Sequence, residues 1–488
     1  MSREIEKQQE LDRREKTLQR LIADYGLKGK VGMKKSPIHG VGMFAEKDYK
    51  VGDIVVALKP YSYISQLDVR CDGCFLLFPM KLSKCSGCNF INYCSKECQQ
   101  KMWPLHKLEC ASIKEYINCF KQQERVEENL LHILLIARTI NIATLGCQNG
   151  GSLALIHNLC DPTEDLDVEE NKLIVKKYLE FAQQVRNFLK DSKKPESEFD
   201  ALVIKIFSNY TQDNETMTLT PILSLFNHSC NGNTILTSPN NMMYLLAQKE
   251  IKKGEEITYP YVYSDNKRVR YEILKSRGAI CTCQVCDSVV KTGSQDTYYR
   301  CHGCNQRVDI RYRSTKDHTM VGRCLGCQKE YSASELKHKG DVIKSNIAER
   351  FKSAPVEIKK LFLTLYFEHF HPLHLYLIYL DFKDIYSLDD PNIFKRIELQ
   401  VLHHYGPICD LALHYFGKII LEREKENRKD RIYAHFINLR RPAREVFKNI
   451  FLSPIFWDNN LEELKKKGIY NSSNILTEPD KYFDKTLL

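Results

Sequence analysis

Between Cys71 and Cys110 the chain carries Cys71-x2-Cys74, Cys85-x2-Cys88, Cys94-x3-Cys98 and His106-x3-Cys110. Seven thiols and one imidazole suffice for two zinc ions, since a structural Zn²⁺ takes four tetrahedral S or N ligands and a CxxC or Cx3C step brings two to one metal without strain. The competing reading is a set of disulfides. It is set aside because the start, MSREIEKQQELDRREK, is charged from its third residue with no apolar leader, and paired CxxC spacing reads as metal in a reducing compartment. Cys301-x2-Cys304 followed by Cys324-x2-Cys327 has zinc-ribbon spacing, with Val308 to Tyr312 reading as a strand between the pairs. Cys281-x-Cys283-x2-Cys286 offers three more thiols and leaves one coordination position open.

Three further segments belong together. Lys35 to Ala45, holding His39, Gly40, Val41 and Gly42, leads into Gly52 to Val56 as strand, turn and strand. Alone, two glycines two apart are a tight turn, with no P-loop or Rossmann spacing after them. Much later come Leu225-Phe226-Asn227-His228-Ser229-Cys230-Asn231-Gly232-Asn233 and Gly254-Glu255-Glu256-Ile257-Thr258-Tyr259-Pro260-Tyr261. In this order the three resemble the SET methyltransferase motifs: the GxG, the NHSCxPN and the GEE-[IL]-T-x-x-Y segments. Tyr93-Cys94-Ser95-Lys96-Glu97-Cys98-Gln99 with Trp103, His106, Lys107 and Cys110 resembles a MYND zinc finger. A SET domain interrupted after its first strands by a MYND finger is similar to the SMYD family, protein-lysine methyltransferases that use S-adenosyl-L-methionine.

The resemblance implies interleaved zinc sites, Cys71, Cys74, Cys94 and Cys98 holding one ion and Cys85, Cys88, His106 and Cys110 the other. It implies that Cys230 completes a post-SET site with Cys281, Cys283 and Cys286. The ribbon at Cys301, Cys304, Cys324 and Cys327 is an addition beyond the minimal family pattern, which makes four zinc ions. Only Cys119, Cys147, Cys160 and Cys409 stand apart, and the expectation for them is a small buried apolar role rather than a reactive thiol. Tyr261 matches the essential tyrosine that orients the methyl group and the incoming amine, and Tyr259 lines the lysine channel or packs its strand. Cofactor contacts are implied for His39, Gly40, Val41, Gly42, Asn227, Tyr261 and His228, the last through its main chain rather than as a general base, and for Asn209. The MYND resemblance implies docking of proline-rich peptides, whose extended form favours groove binding.

Two departures matter. Arg277-Gly278-Ala279 stands where many SET proteins have Tyr-Gly-Phe, removing aromatic surface from the lysine channel and the adenine pocket, and Gly232 replaces a proline. They support a second reading, an adaptor or transcriptional corepressor that binds proline-rich partners and has lost catalysis. In the enzyme reading a neutral amine attacks a methyl group in line. Free lysine has a pKa of about 10.4, so the site must favour the neutral amine by partial desolvation and nearby positive charge, and a narrow channel then supplies alignment.

The elements that would position these residues make an α+β chain. At 488 residues it exceeds one typical core, and an ordinary apolar fraction without excess Gly or Pro excludes a fibrous or wholly disordered polymer. The expected organisation is a charged helix at 1–27, a first SET part at 28–66, the finger at 71–110, a helical insert at 111–200, a second SET part at 201–264, a post-SET segment at 265–290, a ribbon at 291–336 and a TPR-like helical domain at 337–488. Helical stripes are read at Glu128 to Ile142, at Lys172 to Leu189, and at Ile408, Leu411, Ala412, Tyr415 and Ile419. Asp191 to Asp200 reads as an exposed connection. The net charge of +10 is spread along the chain, which reads as a solvated surface and argues against DNA. Leu361 to Leu380, the most apolar window, is broken by Glu368, His369, His371, Pro372 and His374, so no membrane span is expected and the histidines are read as packing. Cytoplasm or nucleus is the expected location.

Overall fold

The computed structural model describes residues 16–436 except 21, 38–39, 66–69, 76–81, 123–125, 147–155, 157–158, 160–167, 191–194, 213–215, 239–241, 263–266, 277–280, 282, 284–285, 287–297, 315, 373, 375, 378–379, 381, 406–418, 420–422, 424–425, 429–430 and 433. The strands are β1 (Val31–Lys35), β2 (Val41–Ala45), β3 (Ile54–Leu58), β4 (Ser62–Ser65), β5 (Ser83–Lys84), β6 (Asn92–Tyr93), β7 (Thr211–Gln212), β8 (Thr216–Leu219), β9 (Thr234–Thr237), β10 (Met243–Ala247), β11 (Tyr299–Arg300), β12 (Arg307–Tyr312), β13 (Met320–Cys324) and β14 (Glu330–Ser332). The helices are α1 (Lys96–His106), α2 (Cys110–Phe120), α3 (Val126–Leu145), α4 (Val168–Leu189), α5 (Glu196–Asn209), α6 (Lys267–Ser276), α7 (Ala333–Arg350), α8 (Val356–His369), α9 (Phe382–Tyr386) and α10 (Pro391–Tyr405).

Strands far apart in sequence close the fold. β10 runs antiparallel between β3 and β9, and β8 antiparallel between β4 and β7. Every residue of β10 is buried, the mark of a strand covered on both faces. Its alternating side chains serve two cores: Met243, Leu245 and Ala247 join one, Tyr244 and Leu246 another. The first of these cores also takes Leu18 and Ile22, one turn apart in a helix at 16–20 and 22–24. The segment expected to be a charged surface helix therefore docks by an apolar stripe.

The long insert between β4 and β8 has its own core around α3, whose Leu130 and Ile133 to Ala137 are fully buried. A helix apolar on all sides belongs inside. The stretch expected as an exposed connection is different in part: α5 begins at Glu196, directly after Pro195. Pro195 cannot continue a preceding helix, and Glu196 and Glu198 in the first turn suit its positive end.

At the other end β11 to β14 form one sheet, and α7 follows β14 at once, its Ser332 side chain accepting from Glu335 N at 3.3 Å. That sheet, the later helices and the Tyr244 face of β10 share one core. Of the stripe expected late in the chain, Ile408, Leu411, Ala412 and Tyr415 lie outside the described residues, and Ile419 is fully buried. His369 Nε2 donates to the Leu336 carbonyl at 3.0 Å and His374 Nδ1 meets the Tyr366 hydroxyl at 2.7 Å. Burial holds the His369 imidazole below its usual pKa. Among the described residues no helix is long and apolar enough to cross a membrane.

Candidate metal centres and candidate active site

Among the described residues four clusters form: Cys71, Cys74, Cys94 and Cys98; Cys85, Cys88, His106 and Cys110; Cys230, Cys281, Cys283 and Cys286; and Cys301, Cys304, Cys324 and Cys327, with ligand atoms in each all within 4.8 Å of one another. Sγ to Sγ separations are 3.8 Å for Cys74 and Cys94, 3.6 Å for Cys94 and Cys98, 3.8 Å for Cys85 and Cys110, and 3.4 Å for Cys230 and Cys286. A disulfide requires about 2.05 Å. A tetrahedron with Zn–S bonds of about 2.3 Å has edges of about 3.8 Å, so spacing and donor type fit zinc.

The backbone is shaped for the same purpose. After the CxxC pairs at Cys71, Cys85, Cys301 and Cys324 comes a residue in the left-handed region: Phe75 at φ 63°, Asn89 at 54°, Asn305 at 60° and Gln328 at 61°. Each donates its N–H to the carbonyl of the first cysteine, at 2.7, 2.8, 2.9 and 3.2 Å respectively. One turn is thus repeated at four separate CxxC pairs, curling each pair around a common point. Gly87 admits the partner ligand, since a Cβ there would lie 2.8 Å from Cys110 Sγ. Ser95 caps α1 by accepting from Cys98 N at 3.3 Å, fixing the helix that carries His106 at its far end.

The second constellation brings together residues almost two hundred positions apart. Asn227 Nδ2 donates to the Val41 carbonyl at 3.0 Å and to Glu256 Oε1 at 2.7 Å, and Ser36 Oγ donates to the same carboxylate at 2.8 Å. The two glycines of the turn have different reasons. Gly40 needs its φ of +51°, whereas a side chain on Gly42 would collide with the Glu256 carboxylate and the Asn227 amide.

Tyr261 is held from both ends. Its hydroxyl donates to the Phe226 carbonyl at 2.6 Å and its backbone N–H to His228 Nδ1 at 2.9 Å, while His228 Nε2 lies 3.1 Å from Cys230 Sγ. The His228 ring therefore links the tyrosine to a metal cluster. Buried Tyr259 pairs with His228 as a parallel bridge, its ring 4.9 Å from that of Tyr261. Gly232 has a local cause, because a Cβ would lie 2.7 Å from Thr258 O, and its N–H, which proline lacks, donates to Ser229 O at 3.1 Å. Asn209 ends α5, its side chain donating to Lys205 O at 2.8 Å and its carbonyl accepting from Ser224 Oγ at 3.4 Å. His39, Arg277 and Ala279 lie outside the described residues.

Sequence reasoning missed Glu256, Ser36, Glu109 and Arg138. Glu256 stood inside a segment already singled out, and only its contact with Gly42 reveals its place. Arg138 had a signal, a lone charge in the apolar run of α3, because a buried charge must be paired.

The SET domain model matches residues 40–262, a little under half of the chain, and that span takes in the cysteine-rich insert, the glycine turn, Asn227 and Tyr261. Among its relatives, the chain is 24% identical over 400 residues to the histone-lysine N-methyltransferase ASHR1 of Arabidopsis thaliana, covering 78% of this chain and 81% of that protein. It is 28% identical over 270 residues to the N-lysine methyltransferase SMYD2 of Homo sapiens, covering 51% of this chain and 59% of that one. The match to the SMYD2 relative thus takes in little more than half its length. Among solved structures, the SET domain of LSMT bound to lysine and AdoHcy aligns with 96% of this chain and 98% of that chain at 13% identity and a TM-score of 0.35, too loose for any comparison of residues.

Proposed function

We propose that the protein is an S-adenosyl-L-methionine-dependent protein-lysine N-methyltransferase whose SET lobe is interrupted by a MYND-type finger and stabilised by four zinc ions. The observation that carries this reading is the convergence of Tyr261, Asn227 and the Gly40 to Gly42 turn through the Glu256 carboxylate and the Phe226 carbonyl. The cofactor would supply an activated methyl group on a sulfonium. The residues assigned to hold it are His39, Gly40, Val41, Gly42, Asn209, Asn227, His228 and Tyr261.

Tyr261 orients the amine. Its proton is donated to Phe226 O at 2.6 Å, so its oxygen acts as an acceptor toward a substrate N–H. The buried Tyr259 ring beside it narrows the approach and limits water, favouring the neutral amine. Zinc at Cys230, Cys281, Cys283 and Cys286 would pin the segment after Tyr261 onto the Asn227 segment, which makes the metal part of the folding energy of the pocket wall.

The Cys71–Cys110 segment is assigned docking of extended, proline-containing peptides. Its support is exposed apolar surface, Trp103 and Leu108 being 47% and 43% exposed. Thiolate-rich sites of this kind suit the reducing cytoplasm or nucleus, and the later helices are assigned a TPR-like scaffold.

The test is calorimetric titration of S-adenosyl-L-methionine into zinc-loaded protein, followed by methylation of a proteome extract with labelled cofactor. Wild type is expected to bind and transfer. Asn227→Ala should weaken binding, and Tyr261→Phe should keep binding while lowering kcat by about 10²-fold, the cost of a misplaced reacting group. No binding by the wild type would overturn the enzyme reading in favour of an adaptor.

A further inference from the structure

Arg138 lies in the middle of α3, 1% exposed, among aliphatic side chains. Its Nη1 donates to Asp72 Oδ1 at 2.7 Å and to the Tyr63 carbonyl of β4 at 3.0 Å. On the other side Nη2 donates to Glu109 Oε1 at 2.5 Å and Nε to Glu109 Oε2 at 3.3 Å. Each carboxylate adjoins one of the two candidate metal clusters of the segment. Asp72 stands between Cys71 and Cys74, and Glu109 precedes Cys110.

Glu109 does more than neighbour its cluster. Its Oε1 lies 3.2 Å from His106 Nδ1, while His106 Nε2 is turned toward Cys85 and Cys88 at 3.3 and 3.7 Å. A carboxylate on one imidazole nitrogen sets the tautomer and directs the other nitrogen to a metal. Asp72 and Glu109 are themselves 3% and 0% exposed, and buried carboxylates need a paired cation. One guanidinium serves both. The next residue, Thr139, shares a hydrogen bond of 2.5 Å with Ser62 Oγ, so this turn of α3 is fastened to β4.

We propose that Arg138 is a positioning residue that couples the two metal centres of the Cys71–Cys110 segment to one another and to β4. Release of metal from either cluster frees one carboxylate arm, and the guanidinium that loses it holds the second arm less well. The two ions therefore load and leave as a pair, and the segment is a fixed part of the SET lobe. The proposal rests on the reading of the clusters as zinc sites.

Full-length protein is titrated with a chelator and followed by native mass spectrometry, and by visible absorption after Co²⁺ substitution. In wild type the two ions of this segment leave in one step. In Arg138→Lys, whose single ammonium replaces a fork, a species that has lost only one of them is populated. Glu109→Gln weakens the His106 cluster by about 10- to 100-fold and shifts the Co²⁺ bands of its three-thiolate, one-imidazole site. The Cys230 and Cys301 clusters keep their wild-type affinities in both variants. The proposal is overturned if both variants release metal as wild type does, or if all four clusters weaken together in both. Wild type that binds no zinc would instead overturn the zinc reading itself.

Discussion

At Gly42 the absence of one carbon decides which groups can share the turn. A Cβ would collide with the Glu256 carboxylate and the Asn227 amide, so Gly42→Ala should displace both side chains and weaken cofactor binding, as read by calorimetry. Glu256→Gln keeps the shape and tests the charge. Ser36 Oγ and Asn227 Nδ2 both donate to that carboxylate, and hydrogen bonds to a charged group are each worth roughly 1.5 to 3 kcal/mol, so binding should fall while the fold, followed by circular dichroism, persists. The residues that carry the resemblance, Asn227, Tyr261 and the glycine turn, were legible in the sequence. Glu256 was printed beside them but silent, because its role depends on contact with Gly42, 214 positions away in the chain.

At the scale of elements, the turn repeated after four CxxC pairs makes a prediction about backbone conformation. Gln328 is exposed at φ 61°, so Gln328→Gly should raise the stability of the ribbon cluster and Gln328→Val should lower it by about 1 to 2 kcal/mol, the cost of the left-handed region, measured by chelator competition. Metal removal has a direction in pH as well. Thiolate ligands bind zinc only when deprotonated, so affinity at all four clusters should fall as pH is lowered, with zinc release followed by a chromogenic chelator. Ligand spacing announced these clusters from the sequence, and the helical stripes of α3 and α4 were visible to within a few residues. The start of α5 at Glu196 was not, because charge and a proline read alike in an exposed connection and in a helix N-terminus.

For the whole molecule, the decisive element is β10, whose two faces join two different cores. Leu246 is fully buried on the face shared with the ribbon sheet and the later helices. Leu246→Ala should therefore cost about 2 to 5 kcal/mol and lower the denaturation midpoint of the SET lobe and the C-terminal part together. Separate transitions, with only one affected, would show the core to be divided. The sequence by itself determined the chemistry: the ligand types and their spacings, the tyrosine, and the order of motifs on either side of an insert, all properties of local patterning. Only the tertiary structure decided how these parts are joined. Antiparallel pairing of β3 with β10 and of β4 with β8, the carboxylate between Gly42 and Asn227, and the shared guanidinium of Arg138 all arise from contacts between distant segments. The reason is physical, since a buried charge or a close backbone approach is defined by its surroundings, and those exist only once the chain has closed on itself.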